Sequence, residues 1–354
     1  MEKSKIPSLD GARAFSIFLV LVAHLALVET IPYSAEIHAT DIGNFGVRIF
    51  FVISGFLITT LLLQEYARNG SISLRNFYVR RAFRIFPALY VFLLVTTVLG
   101  LLGQTSIDIA HLPFVAASFL SNYAEGQRIW DHTWSLSVEE QFYLLWPFIL
   151  VLGGWRFGFK LLVAALLLSP LFRVAIDNGY WPGSIARSFE ANADALAAGC
   201  ALAVFRDRLM QIRLYAGLVN SPFLPLFAVA TLLITRLTIH DTLVWDLLKN
   251  TTYNGLIMMV LDRYMRHPGT IVGAIMNWKP VAYVGTISYS LYLWQQLAMF
   301  NTWNLSWLEQ IVFSFAAAIA SYYLVEKPFL RLRKRFEVAP AALQRDVQAA
   351  FQER

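Results

Sequence analysis

The 354-residue chain is 57% hydrophobic and only 15% charged, with 29 Lys and Arg against 23 Asp and Glu. Soluble domains carry about 25% charged residues, so this composition excludes an ordinary soluble protein and indicates an integral membrane protein. A single cysteine, Cys200, excludes an internal disulfide, a cysteine zinc site and an iron–sulfur cluster. We expect Cys200 to be a packed apolar thiol, and the sequence predicts no metal site.

Apolar stretches of roughly 20 residues, the length that crosses a bilayer as a helix, recur along the chain. Ten of them are predicted to span the membrane: 11–30, 46–65, 85–103, 132–153, 160–177, 189–205, 217–237, 247–265, 280–300 and 307–326. The shorter stretch 109–123 is predicted to be re-entrant or interfacial. The expected fold is all-α and polytopic, with a membrane domain over 1–335 and a cytoplasmic tail over 336–354.

The basic residues predict the orientation of these spans. With the N-terminus in the cytoplasm, 23 of the 29 Lys and Arg fall in cytoplasmic segments, and every second loop is basic. Both termini are therefore predicted to be cytoplasmic, in a multi-pass protein of the cell inner membrane. Because topology and contact with membrane lipid account for the positive charge, nucleic acid is not an expected partner. The sequence contains no convincing internal repeat, which weakens the common two-halved transporter plans.

Two ionisable residues, Arg13 and His24, interrupt the first span, so it does not read as a cleavable signal peptide. Each costs about 2.5–3.5 kcal/mol inside a membrane, and such residues usually face a cavity. Their eleven-residue separation puts them within about 20° of one helix face and about 16 Å apart along the axis. Arg13 is alternatively a snorkelling anchor, and His24 a helix–helix hydrogen bond. A buried neutral histidine is also what a general base requires.

Five arginines lie between the second and third predicted spans: Arg68, Arg75, Arg80, Arg81 and Arg84. If this segment is helical, Arg81 and Arg84 are one turn apart and converge on one side. Guanidinium groups at that spacing suit phosphate oxygens, which accept bidentate hydrogen bonds. The alternative is a patch that binds lipid headgroups at the membrane surface.

The fourth predicted span opens with polar residues on one face. His132, Ser135 and Glu139 fall at i, i+3 and i+7, at the outer end of the span. Glu139 and its neighbour Glu140 cannot both face lipid, so at least one points at a cavity or a partner.

The ninth predicted span adds the hydroxyls of Ser288, Tyr289, Ser290 and Tyr292. These groups are candidates to hydrogen-bond a polar substrate. The alternative is that they bond back to their own helix or pack against a neighbour, as serines in membrane helices often do.

Six segments in this order resemble the bacterial acyltransferase family 3, the membrane O-acyltransferases of surface glycans, nodulation factors and macrolides. They are the ten-residue gap between Arg13 and His24, FFVISGF at 50–56, RAFR at 81–84, TWSLSVEEQFY at 133–143, SYSLYLW at 288–294 and VEKP at 325–328. Together they extend over roughly residues 5 to 335, almost the whole chain.

The resemblance implies transfer of an acyl group, usually acetyl, from acyl-CoA to a hydroxyl of a glycan or glycolipid on the far side of the membrane. It implies that His24 is the catalytic histidine and Arg13 its basic partner. It also implies that the arginine pair Arg81 and Arg84 holds coenzyme A, with Arg80 beside it. Glu139 and His132 match polar positions of the Trp-Ser-Leu segment.

The chain departs from the family pattern at two positions. Many members carry a histidine where this chain has Gln295, and many carry an arginine before Asp194 where this chain has Ala193. A different acceptor is one reading of both departures. The esterase-like domain fused to some members is not expected here, so a separate periplasmic partner or a homo-oligomer is a candidate replacement.

These observations lead to one mechanistic hypothesis. Acetyl-CoA or another acyl-CoA is expected to bind with its phosphates on Arg81, Arg84 and Arg13, and its thioester is expected to reach His24. His24 would act as general base on the acceptor, oriented by Glu139 or Asp10, or would itself be acylated. The predicted acceptor contacts are the polar groups introduced above: His132, Ser135, Ser288, Tyr289 and Tyr292.

Two other classes of function stay open. A secondary transporter would use His24, Arg13 and Glu139 as a proton relay, with no dependence on acyl-CoA. A non-catalytic scaffold or channel would need none of these groups. Among acceptors, cell-surface polysaccharide, the O-chain of lipopolysaccharide and a secondary metabolite are not distinguished by the sequence.

Overall fold

The computed structural model describes residues 6–105, 107, 112–116, 119–123, 129–238, 243–300 and 302–337. Every regular element in these ranges is helical, which confirms the predicted all-α class. Part of the stretch 109–123 and nearly all of the tail 336–354 lie outside the described residues, so those predictions stay untested.

Fourteen α-helices follow one another within the described ranges: α1 Leu9–Leu27, α2 Ser34–Ala39, α3 Ile42–Asn69, α4 Leu74–Leu101, α5 Leu112–Ala116, α6 Thr133–Asp177, α7 Phe189–Leu209, α8 Arg213–Asn220, α9 Leu224–Thr238, α10 Leu243–Arg266, α11 Ile271–Asn277, α12 Lys279–Met299, α13 Trp307–Ser321 and α14 Lys327–Leu332. A π-helical turn, Tyr322–Glu326, joins α13 to α14, and a 3-10 turn, Arg333–Arg335, follows α14.

Five helical stretches in the described part of the chain are long and apolar enough to cross a membrane. They are Leu9–Leu27, Ser34–Asn69, Leu74–Leu101, Thr133–Asp177 and Trp307–Arg335. A sixth results if α8 and Leu224–Thr235, which meet at a bend of 96°, are counted as one span. Other predicted spans, such as 247–265 and 280–300, are helical but carry more polar residues. The membrane character is therefore supported, whereas the number of ten crossings stays a prediction.

The long helix α6 is two helices joined at a break. Its 45 residues would extend about 67 Å as one rod, more than twice the hydrocarbon core of a bilayer. Gly154 has φ 68° and ψ 176° inside it, a conformation that glycine adopts at little cost. The predicted spans 132–153 and 160–177 lie on either side of this break.

Helix α4 begins well before the predicted third span. The Ser73 side chain accepts a hydrogen bond from the backbone N–H of Asn76 at 3.3 Å and caps the helix. Helical backbone therefore extends through Arg80, Arg81 and Arg84, which confirms the condition on which their convergence depends.

Helix α1 lies between α3 and α12, and small residues let the helices approach closely. A Cβ atom on Gly285 of α12 would lie 1.8 Å from the backbone oxygen of Asp10, so only glycine fits there. Helices α3 and α7 cross in the same way at Gly55 and Gly199. Cys200 is buried beside this crossing, 3.7 Å from the Gly55 carbonyl oxygen, which confirms it as a packed thiol.

Candidate active site

Three guanidinium groups converge at the Arg13 end of α1. Arg13 interacts electrostatically with Arg81 and Arg84, which lie one turn apart on α4. We call these three residues the arginine cluster. Among the described residues, its only ion pair within 4 Å joins Arg13 to Asp10, at 3.6 Å. Only one of the three guanidinium groups therefore has a carboxylate within 4 Å in the described part of the chain, and guanidinium groups suit phosphate oxygens.

Aromatic rings hold Arg81 in place. Its guanidinium carbon lies 5.1 Å from the ring centre of Tyr143 and 5.7 Å from that of Phe77, both within the range of cation–π attraction. Arg80, by contrast, donates to Glu65 at 2.8 Å, and the other oxygen of Glu65 accepts from the Ser73 backbone N–H. Arg80 thus anchors the start of α4, and its predicted contact with the cofactor stays a prediction.

Glu139 lies with the arginine cluster. Ser54 Oγ donates to Glu139 Oε1 at 2.5 Å, and the Tyr143 hydroxyl donates to Oε2 at 3.3 Å. Arg13 and Arg81 are its electrostatic partners. These contacts correct the hypothesis that Glu139 orients His24, because the carboxylate is turned toward the other end of α1.

The second candidate for orienting His24, Asp10, is excluded by distance. Asp10 precedes His24 by fourteen residues on the same helix, which corresponds to about 21 Å along the axis. Its 3.6 Å ion pair with Arg13 keeps it at the opposite end.

A cavity of about 160 Å³ lies at the His24 end of α1. His24, His132, Asp131, Trp134 and Tyr292 are among its lining residues, and we call it the histidine cavity. His132 is 3% exposed, yet neither of its ring nitrogens has a hydrogen-bond partner among the described residues, and the same holds for Nδ1 of His24. Buried polar atoms are normally paired, so these nitrogens are available to a molecule that enters the cavity.

Tyr292 and Ser135 hold His132 in position. The Tyr292 hydroxyl donates to the His132 carbonyl oxygen at 2.8 Å and lies 2.6 Å from Ser135 Oγ. The imidazole packs edge-on against Phe92, with ring centres 5.6 Å apart. Three of the five predicted acceptor contacts, His132, Ser135 and Tyr292, are therefore brought together.

The other two predicted acceptor contacts, Ser288 and Tyr289, are not among the residues that line the histidine cavity. The Tyr289 hydroxyl donates to the Ile85 carbonyl oxygen at 2.7 Å, next to Arg84 of the arginine cluster. Ser288 is buried within α12. Their predicted role in acceptor binding has no support from this placement and stays a prediction.

The residues of α1 and those at the start of α6 meet in matching order along the two helices. On α1 the arginine cluster and His24 are separated by about 16 Å of rise. At the start of α6, His132 lies beside His24, whereas Glu139, about 10 Å further along, lies beside Arg13. Helices α1 and α6 thus run in opposite directions and join the two ends of one site.

The family model for the acyltransferase domain of family 3 matches residues 6–325. The chain belongs to this acyltransferase family. Its relatives include the peptidoglycan O-acetyltransferase OatA of Listeria monocytogenes, which is 28% identical over 91% of this chain and 55% of its own length. YrhL of Bacillus subtilis is also 28% identical, over 91% of this chain and 54% of its own length.

The O-acetyltransferase OatA of Staphylococcus aureus is 26% identical over 91% of this chain and 57% of its own length. The chain therefore spans about half the length of the curated relatives it matches. No solved structure matches the chain.

One departure of the chain from its family pattern lies inside the site. Gln295 is fully buried, and its side chain interacts with His24. Its Nε2 donates to the Tyr292 carbonyl oxygen at 3.4 Å. Gln295 is thus the side chain that faces His24, at a position where many family members carry a histidine. The sequence identified Gln295 as a departure from the family pattern but did not predict that its side chain faces His24.

The other departure, at the position before Asp194, is compensated by residues from elsewhere in the chain. Asp194 is fully buried, with Arg173 of α6 at 2.9 Å and Arg48 of α3 at 3.6 Å. Two arginines from other helices therefore neutralise the carboxylate that lacks an arginine beside it in sequence.

Sequence reasoning missed two carboxylates of the site. Asp131 lines the histidine cavity and accepts hydrogen bonds from both terminal nitrogens of Arg187, at 2.6 and 2.7 Å. Glu326 is buried, accepts a hydrogen bond from Ser290 and interacts with Arg84. The π-helical turn Tyr322–Glu326 places Glu326 there, and such turns are frequent at functional sites. Both carboxylates adjoin or belong to segments that carry the family resemblance, which was the available signal.

Proposed function

We propose that this acyltransferase moves an acyl group, acetyl in the first instance, from cytoplasmic acyl-CoA to a hydroxyl of a glycan or glycolipid outside the membrane. The observation that carries the proposal is that the arginine cluster and a cavity of unpartnered imidazole nitrogens lie at the two ends of α1. The proposal includes ten spans, both termini in the cytoplasm and a multi-pass location in the inner membrane.

In the proposed mechanism, the arginine cluster binds the phosphates of coenzyme A. The thin arm between those phosphates and the sulfur follows α1 toward the histidine cavity. The separation of about 16 Å between Arg13 and His24 is then the distance that the arm covers. Glu139 holds Ser54 and Tyr143 beside the arginines and balances part of their charge.

The chemistry takes place in the histidine cavity. His24 removes the proton from the acceptor hydroxyl as its oxygen attacks the thioester carbon, which is general-base catalysis worth typically 10²- to 10⁴-fold. The carbon–sulfur bond then breaks, and the leaving thiolate takes the proton back from His24. An N–H of His132 donates to the oxygen that becomes negative during attack. Gln295 holds the His24 ring in position.

The names of the relatives support a glycan acceptor of the peptidoglycan type ahead of the other acceptors. OatA of Listeria monocytogenes is a peptidoglycan O-acetyltransferase, and its similarity covers 91% of this chain. A separate periplasmic partner or a homo-oligomer stays part of the proposal.

The test uses the chain in nanodiscs with radiolabelled acetyl-CoA and soluble peptidoglycan fragments. The wild type is expected to release coenzyme A and to label the sugar, and His24→Ala is expected to abolish both while the protein still elutes as a folded species. His267→Ala is the matched control, because His267 lies outside the site and bonds Asn220 at 2.9 Å. Full transfer by His24→Ala would refute the mechanism. Proton-coupled flux without acyl-CoA would favour a transporter.

A further inference from the structure

A second, much larger cavity lies beside the site. It has a volume of about 1060 Å³ and opens between α1, α3, α9, α10, α12 and α13. Its walls are formed mainly by apolar side chains, among them Phe18, Leu232, Val260, Met276, Ile311 and Phe315. We call it the apolar groove. Lys249 and Tyr264 of α10 both line it, and they are about 22 Å apart along the helix. The groove therefore extends over most of the depth of a bilayer core.

The apolar groove adjoins the histidine cavity. Five residues line both: Asp41, Ile42, Asn44, Val47 and Trp134. A molecule that lies against these five residues is therefore next to the cavity that His24 and His132 line. Bulk lipid needs no such connection to a reaction site, whereas a substrate does.

A cation lies near the residues that the two cavities share, because Tyr253, one turn after Lys249 on α10, packs against Phe45 of α3 with ring centres 5.9 Å apart. Lys249 lines the groove, is half-buried and has no carboxylate within 4 Å among the described residues. Arg48 also lines the groove, but it is occupied by Asn254 at 3.0 Å and by Asp194. A half-buried ammonium group against an apolar wall is costly unless an anion joins it, so Lys249 is suited to a phosphate on the molecule that fills the groove.

We propose that the apolar groove binds the acceptor itself, as a sugar joined through phosphate to a long apolar chain. The chain occupies the groove, the phosphate pairs with Lys249, and a hydroxyl of the sugar enters the histidine cavity. This inference rests on the proposed function and deepens it, because it assigns a lipid-linked sugar, rather than a free polysaccharide, as the acceptor class.

Binding is measured first, since it does not depend on catalysis. The purified chain is titrated with a long-chain polyprenyl phosphate and with ten-carbon citronellyl phosphate, and complexes are counted by native mass spectrometry. Val260 lies about 16 Å along α10 from Lys249. Val260→Trp is therefore expected to weaken binding of the long chain at least about tenfold and to spare the short one. Lys249→Gln is expected to weaken both. Leu94→Trp, on the exposed face of α4, is the matched control and is expected to weaken neither.

Two outcomes would overturn the assignment. One is equal binding of the long chain by wild type and by both groove variants. The other is equal competition by phosphatidylglycerol, which would make the groove a site for bulk lipid. Acetyl transfer to a lipid-linked and to a lipid-free version of the same sugar completes the test. If the lipid-linked and the lipid-free sugar are acetylated at equal rates, and wild type and groove variants bind the long chain equally, the assignment of the groove is refuted. The proposed function is then unaffected. If the groove variants weaken lipid binding as expected but no acetyl group is transferred to either sugar, the proposed function is refuted. The assignment of the groove as a binding site is then unaffected.

Discussion

His132, immediately before α6, lies beside His24 near the end of α1, and the two imidazoles line one cavity. They come from segments far apart in the chain. His132 is the more buried of the two, and neither of its nitrogens is used by the described part of the protein. A pair of imidazoles arranged in this way provides both a base and a hydrogen-bond donor at one reacting group.

If His132 donates to the developing oxyanion, His132→Phe should lower kcat by about 10²- to 10³-fold, the usual cost of losing one such donor. The KM for acetyl-CoA should stay within a few-fold of the wild type, because the arginine cluster is untouched. Steady-state kinetics in nanodiscs measure both constants. An unchanged kcat would remove His132 from the mechanism.

The arginine cluster is tested by its selectivity for phosphate. Arg81→Gln and Arg84→Gln should each raise the KM for acetyl-CoA by about 10- to 100-fold, since a hydrogen bond to a charged group contributes about 1.5–3 kcal/mol. Acetyl-pantetheine, which lacks phosphate, should be used equally poorly by wild type and variants. Arg75→Gln, exposed on the same helix, is the control. Equal losses with both donors would mean that the arginines support the fold and do not bind phosphate.

Gln295 is expected to position His24 and not to react. Gln295→Leu should lower kcat by about 10- to 100-fold, because the imidazole loses the side chain that interacts with it. Gln295→His, which restores a hydrogen-bonding group of similar reach, should recover most of the activity. Failure of histidine to do better than leucine would indicate that volume, and not hydrogen bonding, matters at this position.

The buried ion pairs of Asp194 are expected to stabilise the folded protein. Asp194→Asn leaves Arg173 and Arg48 without their carboxylate, and breaking a buried pair in this way costs about 3–5 kcal/mol. A clear fall in thermal unfolding temperature is expected, whereas Asp207→Asn, 93% exposed at its side chain, should leave the temperature unchanged. The double variant Asp194→Leu with Arg173→Leu should recover part of the loss. No recovery would argue that Asp194 has partners that matter more than Arg173.

Relationships within one helix were predictable from the sequence. The face shared by Arg13 and His24, their offset along α1, and the convergence of Arg81 and Arg84 all follow from 3.6 residues per turn. The break between the two halves of α6 was likewise implied by two apolar stretches that are together too long for one crossing.

Relationships between helices were decided by the tertiary structure alone. The sequence left Glu139 and Asp10 as equal candidates to orient His24, and the structure places both near Arg13. The helical period says which residues share a face but not which neighbour that face meets. That choice depends on close crossings, such as the one where Gly285 of α12 lies against Asp10 of α1, and on the rotation of each helix about its axis. The apolar groove has the same origin, because no single helix contains it. The sequence by itself therefore determined the face of α1 that Arg13 and His24 share, and only the packing of the other helices decided which groups that face meets.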